Sequence, residues 1–203
     1  MCLICDNEYT KDTIEIVCCD NVVALPDTLV NLVTLYCDQS SITTIPDTLV
    51  NLVTLNCYGT QISTLPDTLV NLVALYCGQS SITAIPDTLV NLVALNCGRT
   101  LITAIPDTLV NLVNLYCDGT LITALPDTLV NLVTLSCCDT QITTLPSTLK
   151  HIKYIYSNNK PFAILYKYKF NGIDIDFKSR YKKLMKLYKI LPTDIYRHYK
   201  YYF

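Results

Sequence analysis

Apolar side chains recur along this chain as one set, repeated at a fixed period. Between Leu29 and Pro46 they stand at Leu29, Leu32, Leu35, Cys37, Ile42 and Ile45, and the equivalent set returns at Leu49, Leu52, Leu55, Cys57, Ile62 and Leu65. Leu35-Tyr36-Cys37 alternates, so it reads as a short strand. Leu35 and Cys37 then point to one side, and Thr34, Tyr36 and Asp38 to the other. Pro46-Asp47-Thr48 starts a tight turn or a single helical turn, because proline presets φ and Asp and Thr can bond free backbone N–H groups. No such unit can bury its apolar row alone. Stacking supplies the missing partners, with neighbouring strands about 4.8 Å apart.

The repetition is overt. Pro-Asp-Thr-Leu-Val-Asn-Leu-Val begins at Pro26, Pro46, Pro66, Pro86, Pro106 and Pro126, and a worn copy, Pro-Ser-Thr-Leu-Lys-His-Ile, begins at Pro146. Ile152-x-x-Ile155 keeps the strand spacing once more, which predicts a partial eighth rung. The unit Leu32-x-x-Leu35-x-Cys37-x-x-Ser40-x-Ile42-x-x-Ile45-Pro46 resembles the leucine-rich-repeat form L-x-x-L-x-L-x-x-N-x-L-x-x-L-P, in its shortest class. The resemblance covers about residues 22–157. It implies an α/β-class solenoid with a parallel sheet on a concave face and short turns or one-turn helices on the convex face. It also implies protein binding. Two departures stand out. The family's asparagine is replaced by Ser40, Thr60, Ser80, Thr100, Thr120 and Thr140, whose hydroxyls both donate and accept, so that a hydrogen-bonded ladder can persist. Its third strand leucine is replaced by Cys37, Cys57, Cys77, Cys97, Cys117 and Cys137.

The composition changes near residue 150. Residues 1–149 hold fourteen acids against Lys11 and Arg99, a balance of −12. Residues 150–203 hold thirteen Lys/Arg against Asp174, Asp176 and Asp194, a balance of +10, with ten of the fifteen tyrosines. In this second part Phe170-Asn171-Gly172-Ile173 predicts a two-residue hairpin turn. A helix is expected over 178–190, ended by Pro192. Three regions follow: an N-terminal hairpin cap over 1–21 with strands near 2–5 and 13–17, the repeats over 22–157, and a basic Tyr/Lys-rich hairpin-helix cap over 158–203. The Lys-Tyr-Ile-Asn bias and the homogeneous cysteine-bearing repeats resemble proteins of large DNA viruses that infect amoebae.

Chemistry has few candidates. Neither a phosphate-cradling glycine motif nor a nucleophile elbow is present, and both histidines, His151 and His198, lie in the basic part. The reading is therefore a non-enzyme, with no catalytic residue, cofactor or metal ligand assigned. In the cysteine row, adjacent rungs bring Cα atoms within disulfide range, but in-register strands point the Cβ bonds the same way, which favours buried free thiols. Cys2-x-x-Cys5 with Cys18-Cys19 offers four sulfurs, the first pair at zinc-knuckle spacing. Vicinal cysteines ligate one ion poorly, and a capping hairpin explains the same residues. Eleven cysteines, the lack of a recognisable signal peptide and the lack of a long apolar run place the expected location inside a cell, with no transmembrane segment.

Partner contact is expected where the units differ from one another. The positions are Thr34, Tyr36, Asp38, Asn56, Tyr58, Tyr76, Asn96, Arg99, Asn114, Tyr116 and Asp118. Tyrosine at every second rung, with asparagine between, supplies rigid contact area and adaptable hydrogen bonds. The sequence thus points to a protein-interaction or scaffold solenoid, its partner and oligomeric state open. The alternative is docking on nucleic acid or an anionic membrane surface through the basic C-terminal part.

Overall fold

A computed structural model describes residues 2–158. It contains eight strands of three residues each: β1 Glu15–Val17, β2 Thr34–Tyr36, β3 Thr54–Asn56, β4 Ala74–Tyr76, β5 Ala94–Asn96, β6 Asn114–Tyr116, β7 Thr134–Ser136 and β8 Tyr154–Tyr156. Each strand pairs in parallel with the next, giving one sheet in chain order. From β2 onward the register advances by one full repeat at every step, so that Leu35 lies beside Leu55 and Leu55 beside Leu75. The first step is one position shorter: Ile16 lies beside Leu35.

The pairing extends past the strand ends. Cys37 N–H donates to the Asn56 carbonyl at 2.8 Å and Gln39 N–H to the Tyr58 carbonyl at 2.7 Å, while Val53 and Thr54 N–H both donate to the Val33 carbonyl. Each rung therefore bonds its neighbour along the whole stretch equivalent to Val33 through Gln39. Inside, Leu29, Leu32, Leu35, Cys37 and Ile42 are fully buried, and their equivalents repeat this down to Leu132, Leu135 and Cys137. They form one continuous apolar column.

The returns between strands are turns. Leu29 N–H donates to the Pro26 carbonyl and Leu32 N–H to the Leu29 carbonyl, and this pair of i to i+3 bonds recurs in later rungs. No helix occurs among the described residues. Of the two expectations for this side, the short turn is the one formed, because the segments make two successive turns that share only Leu29 or its equivalent and no bond overlaps them into a helix. No helix among the described residues is long and apolar enough to cross a membrane.

Two expectations are corrected. Residues 3–7 form turns, not a strand, and β1 joins the main sheet in parallel instead of forming half of an N-terminal hairpin. The reason is that Ile16 fills the same buried slot as Leu35, which pulls β1 into register with the repeats. The row of hydroxyls also makes no ladder from rung to rung. Thr60 Oγ1 donates to the Cys57 carbonyl at 2.7 Å, and Thr100 and Thr120 bond Cys97 and Cys117 in the same way. Each hydroxyl of this row is spent on the carbonyl three residues back and so closes its own loop, whereas the hydroxyls of Thr68 and Thr108 reach the Asp47 and Asp87 carbonyls of the previous rung. The expected hairpin at Asn171-Gly172, the helix over 178–190 and nearly all of the basic cap lie outside the described residues.

Candidate functional site

On β2 through β6 the middle residue points into the column and its two neighbours point out, half-buried. The outward row after the buried leucines reads Tyr36, Asn56, Tyr76, Asn96, Tyr116, Ser136 and Tyr156, held side by side by the register. The parallel row before them carries Thr34 and Asn114. Seven of the eleven expected contact residues thus share one sheet face. Asp38, Tyr58 and Asp118 are half-buried along its edge, just past the strand ends, and Arg99 is exposed one residue further on. All eleven fall on one side of the solenoid.

The polar members of this face are less free than their chemistry suggests. Asn56 Nδ2 donates to Asp38 Oδ1 at 3.1 Å, while its Oδ1 accepts the Tyr58 N–H at 3.2 Å. Both ends of that amide are engaged. Asn96 Oδ1 accepts the Gly98 N–H. Asp118 Oδ1 accepts from Ser136 Oγ and from the Cys138 N–H, and burial nonetheless raises its carboxyl above the usual carboxylate range. The asparagines and aspartates therefore hold the edge loop to the strands. With Ser136, the tyrosines make up the rest of the outward row. Burial raises the Tyr76 hydroxyl, and Tyr116 and Tyr36 lie close enough to add to the effect.

Tyr58 leans over the next rung. A Cβ on Gly78 would meet its ring at 3.1 Å and the Gly98 carbonyl at 3.0 Å, so glycine at 78 makes room for it. The loop residue that follows has positive φ in successive rungs, at Gln39, Gly59, Gln79, Arg99, Gly119 and Asp139.

A second surface was missed by a reading based on variation. An open groove of about 1230 Å³ runs from Asn31 and Val33, rung by rung, to His151 and Lys153. Its asparagines span rungs: Asn51, Asn71, Asn91, Asn111 and Asn131 each donate from Nδ2 to the carbonyl of the valine 21 positions earlier, at 2.9–3.0 Å. This row is the true inter-rung side-chain ladder. Its constancy among the repeats was the available signal, and the fixed asparagine follows from that bond.

The cysteines divide into two groups. Cys37, Cys57, Cys77, Cys97 and Cys117 are fully buried and Cys137 almost so. Burial pushes their thiols up, those of Cys57, Cys97 and Cys137 to about 12. Cys18 belongs to the same row, since its N–H donates to the Tyr36 carbonyl as Cys37 does to Asn56. Cys2, Cys5 and Cys19 instead converge at the N-terminal end, with Cys5 and Cys19 sulfurs 3.3 Å apart. Burial acts to raise the Cys2 thiol, but hydrogen bonds from the Cys5 and Cys19 backbone and side chains outweigh it and leave it at about 7.

A buried leucine column with an in-register parallel sheet at one side and turns at the other decides the architecture. The fold is a leucine-rich-repeat solenoid. Solved leucine-rich-repeat structures superpose on it. The functional domain of InlJ from Listeria monocytogenes, which includes a cysteine ladder, is 21% identical over 70% of this chain and 38% of its own, with a TM-score of 0.59. YopM, a leucine-rich effector protein of Yersinia pestis, is 21% identical over 72% of this chain and 49% of its own, with a TM-score of 0.61. An internalin, InlF, of Listeria monocytogenes is 21% identical over 66% and 44%, with a TM-score of 0.57. The chain therefore spans less than half the length of these leucine-rich-repeat proteins. They are bacterial and give no support to a viral source. No protein-family model and no curated protein matches the chain.

Proposed function

We propose that this solenoid is an interaction scaffold that binds a protein partner on its outward sheet face. The observation that carries the reading is the row of Tyr36, Tyr76 and Tyr116, half-buried and placed at every second rung by the sheet register. Ring edges and hydroxyls stand about 10 Å apart on a backbone that cannot flex between them. Such a face binds with little ordering of its own side chains. Around it Thr34, Asn56, Tyr58, Asn96, Asn114, Asp38, Asp118 and Arg99 form the edge of the contact. The balance of −12 over residues 1–149 favours a partner with basic groups and opposes a polyanion on this face.

Three tyrosine-to-alanine substitutions made together at 36, 76 and 116 test the proposal. The variant should keep the cooperative unfolding of the parent while saturable protein capture falls at least about tenfold, as loss of aromatic anchors does. Undiminished capture would move the contact to another surface. Docking on nucleic acid or an anionic membrane is the competing reading. It rests on the +10 balance of residues 150–203, and it requires a salt-sensitive association that is lost when those residues are removed.

A further inference from the structure

We infer that Cys2, Cys5 and Cys19 form a zinc site that fastens the N-terminal turn to the first rung of the solenoid. Their three sulfurs lie within 4.8 Å of one another. Around a tetrahedral zinc with bonds of about 2.3 Å, sulfurs sit about 3.8 Å apart, so a small adjustment, in which the Cys5 and Cys19 sulfurs part by about half an ångström, admits the ion. Three soft thiolates select zinc over harder cations.

The surrounding backbone prepares this convergence without help from the thiols. Asp6 N–H donates to the Cys2 carbonyl at 3.0 Å, and Glu8 N–H to the Leu3 carbonyl at 2.9 Å. Asp6 Oδ2 accepts the Cys2 N–H at 3.1 Å, and Asn7 takes the left-handed conformation. Together these wind residues 2–8 into a tight turn that sets Cys2 and Cys5 on one side. The third sulfur comes from the first rung. There Cys18 and Val22 stand four apart, whereas Cys37 and Ile42 stand five apart, so the loop after β1 is one position shorter. Cys18 keeps the ladder slot, and Cys19 is turned toward the cap, its N–H donating to Cys2 Sγ at 3.4 Å. The vicinal pair thus serves two ends: one sulfur enters the apolar row, the other the cluster. Each thiol that ligates gives its proton to solvent, and a water molecule completes the coordination.

The ion would close a loop from residue 2 to residue 19 over the end of the apolar column, where Cys2 is 8% exposed. The site is open on one side through exposed Cys5, so metal can enter the folded chain.

The test uses the reduced full-length chain, stripped with a chelator and titrated with zinc, and with cobalt as a spectroscopic substitute. One equivalent should bind, cobalt should give tetrahedral thiolate absorption, and saturating zinc should raise the unfolding temperature. Cys5→Ser and Cys19→Ser should each weaken zinc binding by at least about tenfold and remove the thermal shift. Cys18→Ser and Cys57→Ser should retain both. The proposal is overturned if the reduced parent binds no zinc, if Cys57→Ser loses binding as completely as Cys5→Ser, or if Cys5 and Cys19 close to a disulfide, read as a loss of two hydrogens by mass, with zinc at saturation.

Discussion

The two sides of each short strand follow different rules. Inside, Leu35, Leu55, Leu75, Leu95, Leu115 and Leu135 are the same residue at the same burial. Outside, Tyr36 gives way to Asn56, then to Tyr76, and further along to Ser136 and Tyr156. Inner positions are fixed because every side chain packs on copies of itself one rung away, so a change of volume disturbs two interfaces. Outer positions do not pack on copies of themselves, so they can diverge even where single pairs such as Asn56 and Asp38 bond across rungs. The Asn51, Asn71 and Asn91 row breaks this simple division. It faces solvent yet holds asparagine from Asn51 to Asn131, because its amide reaches across to the previous rung. Constancy at these asparagines therefore comes from a bond between rungs and not from burial.

Three experiments press on this contrast. Leu75→Ala should cost about 2–5 kcal/mol in urea unfolding, because a buried cavity opens in mid-column; a loss below about 1 kcal/mol would mean that the inner row is not closely packed. Asn91→Ala should cost about 0.5–1.5 kcal/mol, the worth of one exposed inter-rung bond, and leave partner capture untouched. If capture falls while stability holds, the groove and not the strand face is the contact surface. Gln79→Gly acts at the positive-φ loop position, where φ is 54°. It should stabilise by about 0.5–1 kcal/mol, since glycine enters that conformation without the strain of a side chain and offsets only part of this through added chain entropy. Gly59 and Gly119 already occupy the equivalent site.

Much of this was legible in the sequence, because a strict period with an alternating Leu-x-Cys core leaves few ways to stack. The outward row could be read off for the same reason: alternation fixes which side Tyr36 takes once Leu35 is inside. The first rung could not be read. Its register step, from Ile16 to Leu35, falls one position short of the step from Leu35 to Leu55 and so hides β1 from a search at the repeat's own period. Cys18-Cys19 looks like one vicinal pair until the Cys18 N–H is seen bonded to Tyr36. The amide row was hidden as well. Asn51 and Val30 are 21 positions apart, and only the path of the chain shows that one reaches the other. The bonds that tie Asn56 to Asp38 were likewise invisible, since both residues read as free contact groups.

The strict one-for-one register from β2 onward has an arithmetical consequence. Each rung is interchangeable with the next in the column, so excising one full period and rejoining the chain should leave a shorter solenoid with intact packing. The outward row would respond differently. Removing residues 41–60 would set Tyr36 directly beside Tyr76, whereas removing 41–80 would set Tyr36 beside Asn96 and restore the alternation. Parity of the rung count, invisible to the core, is thus written on the face that a partner would read.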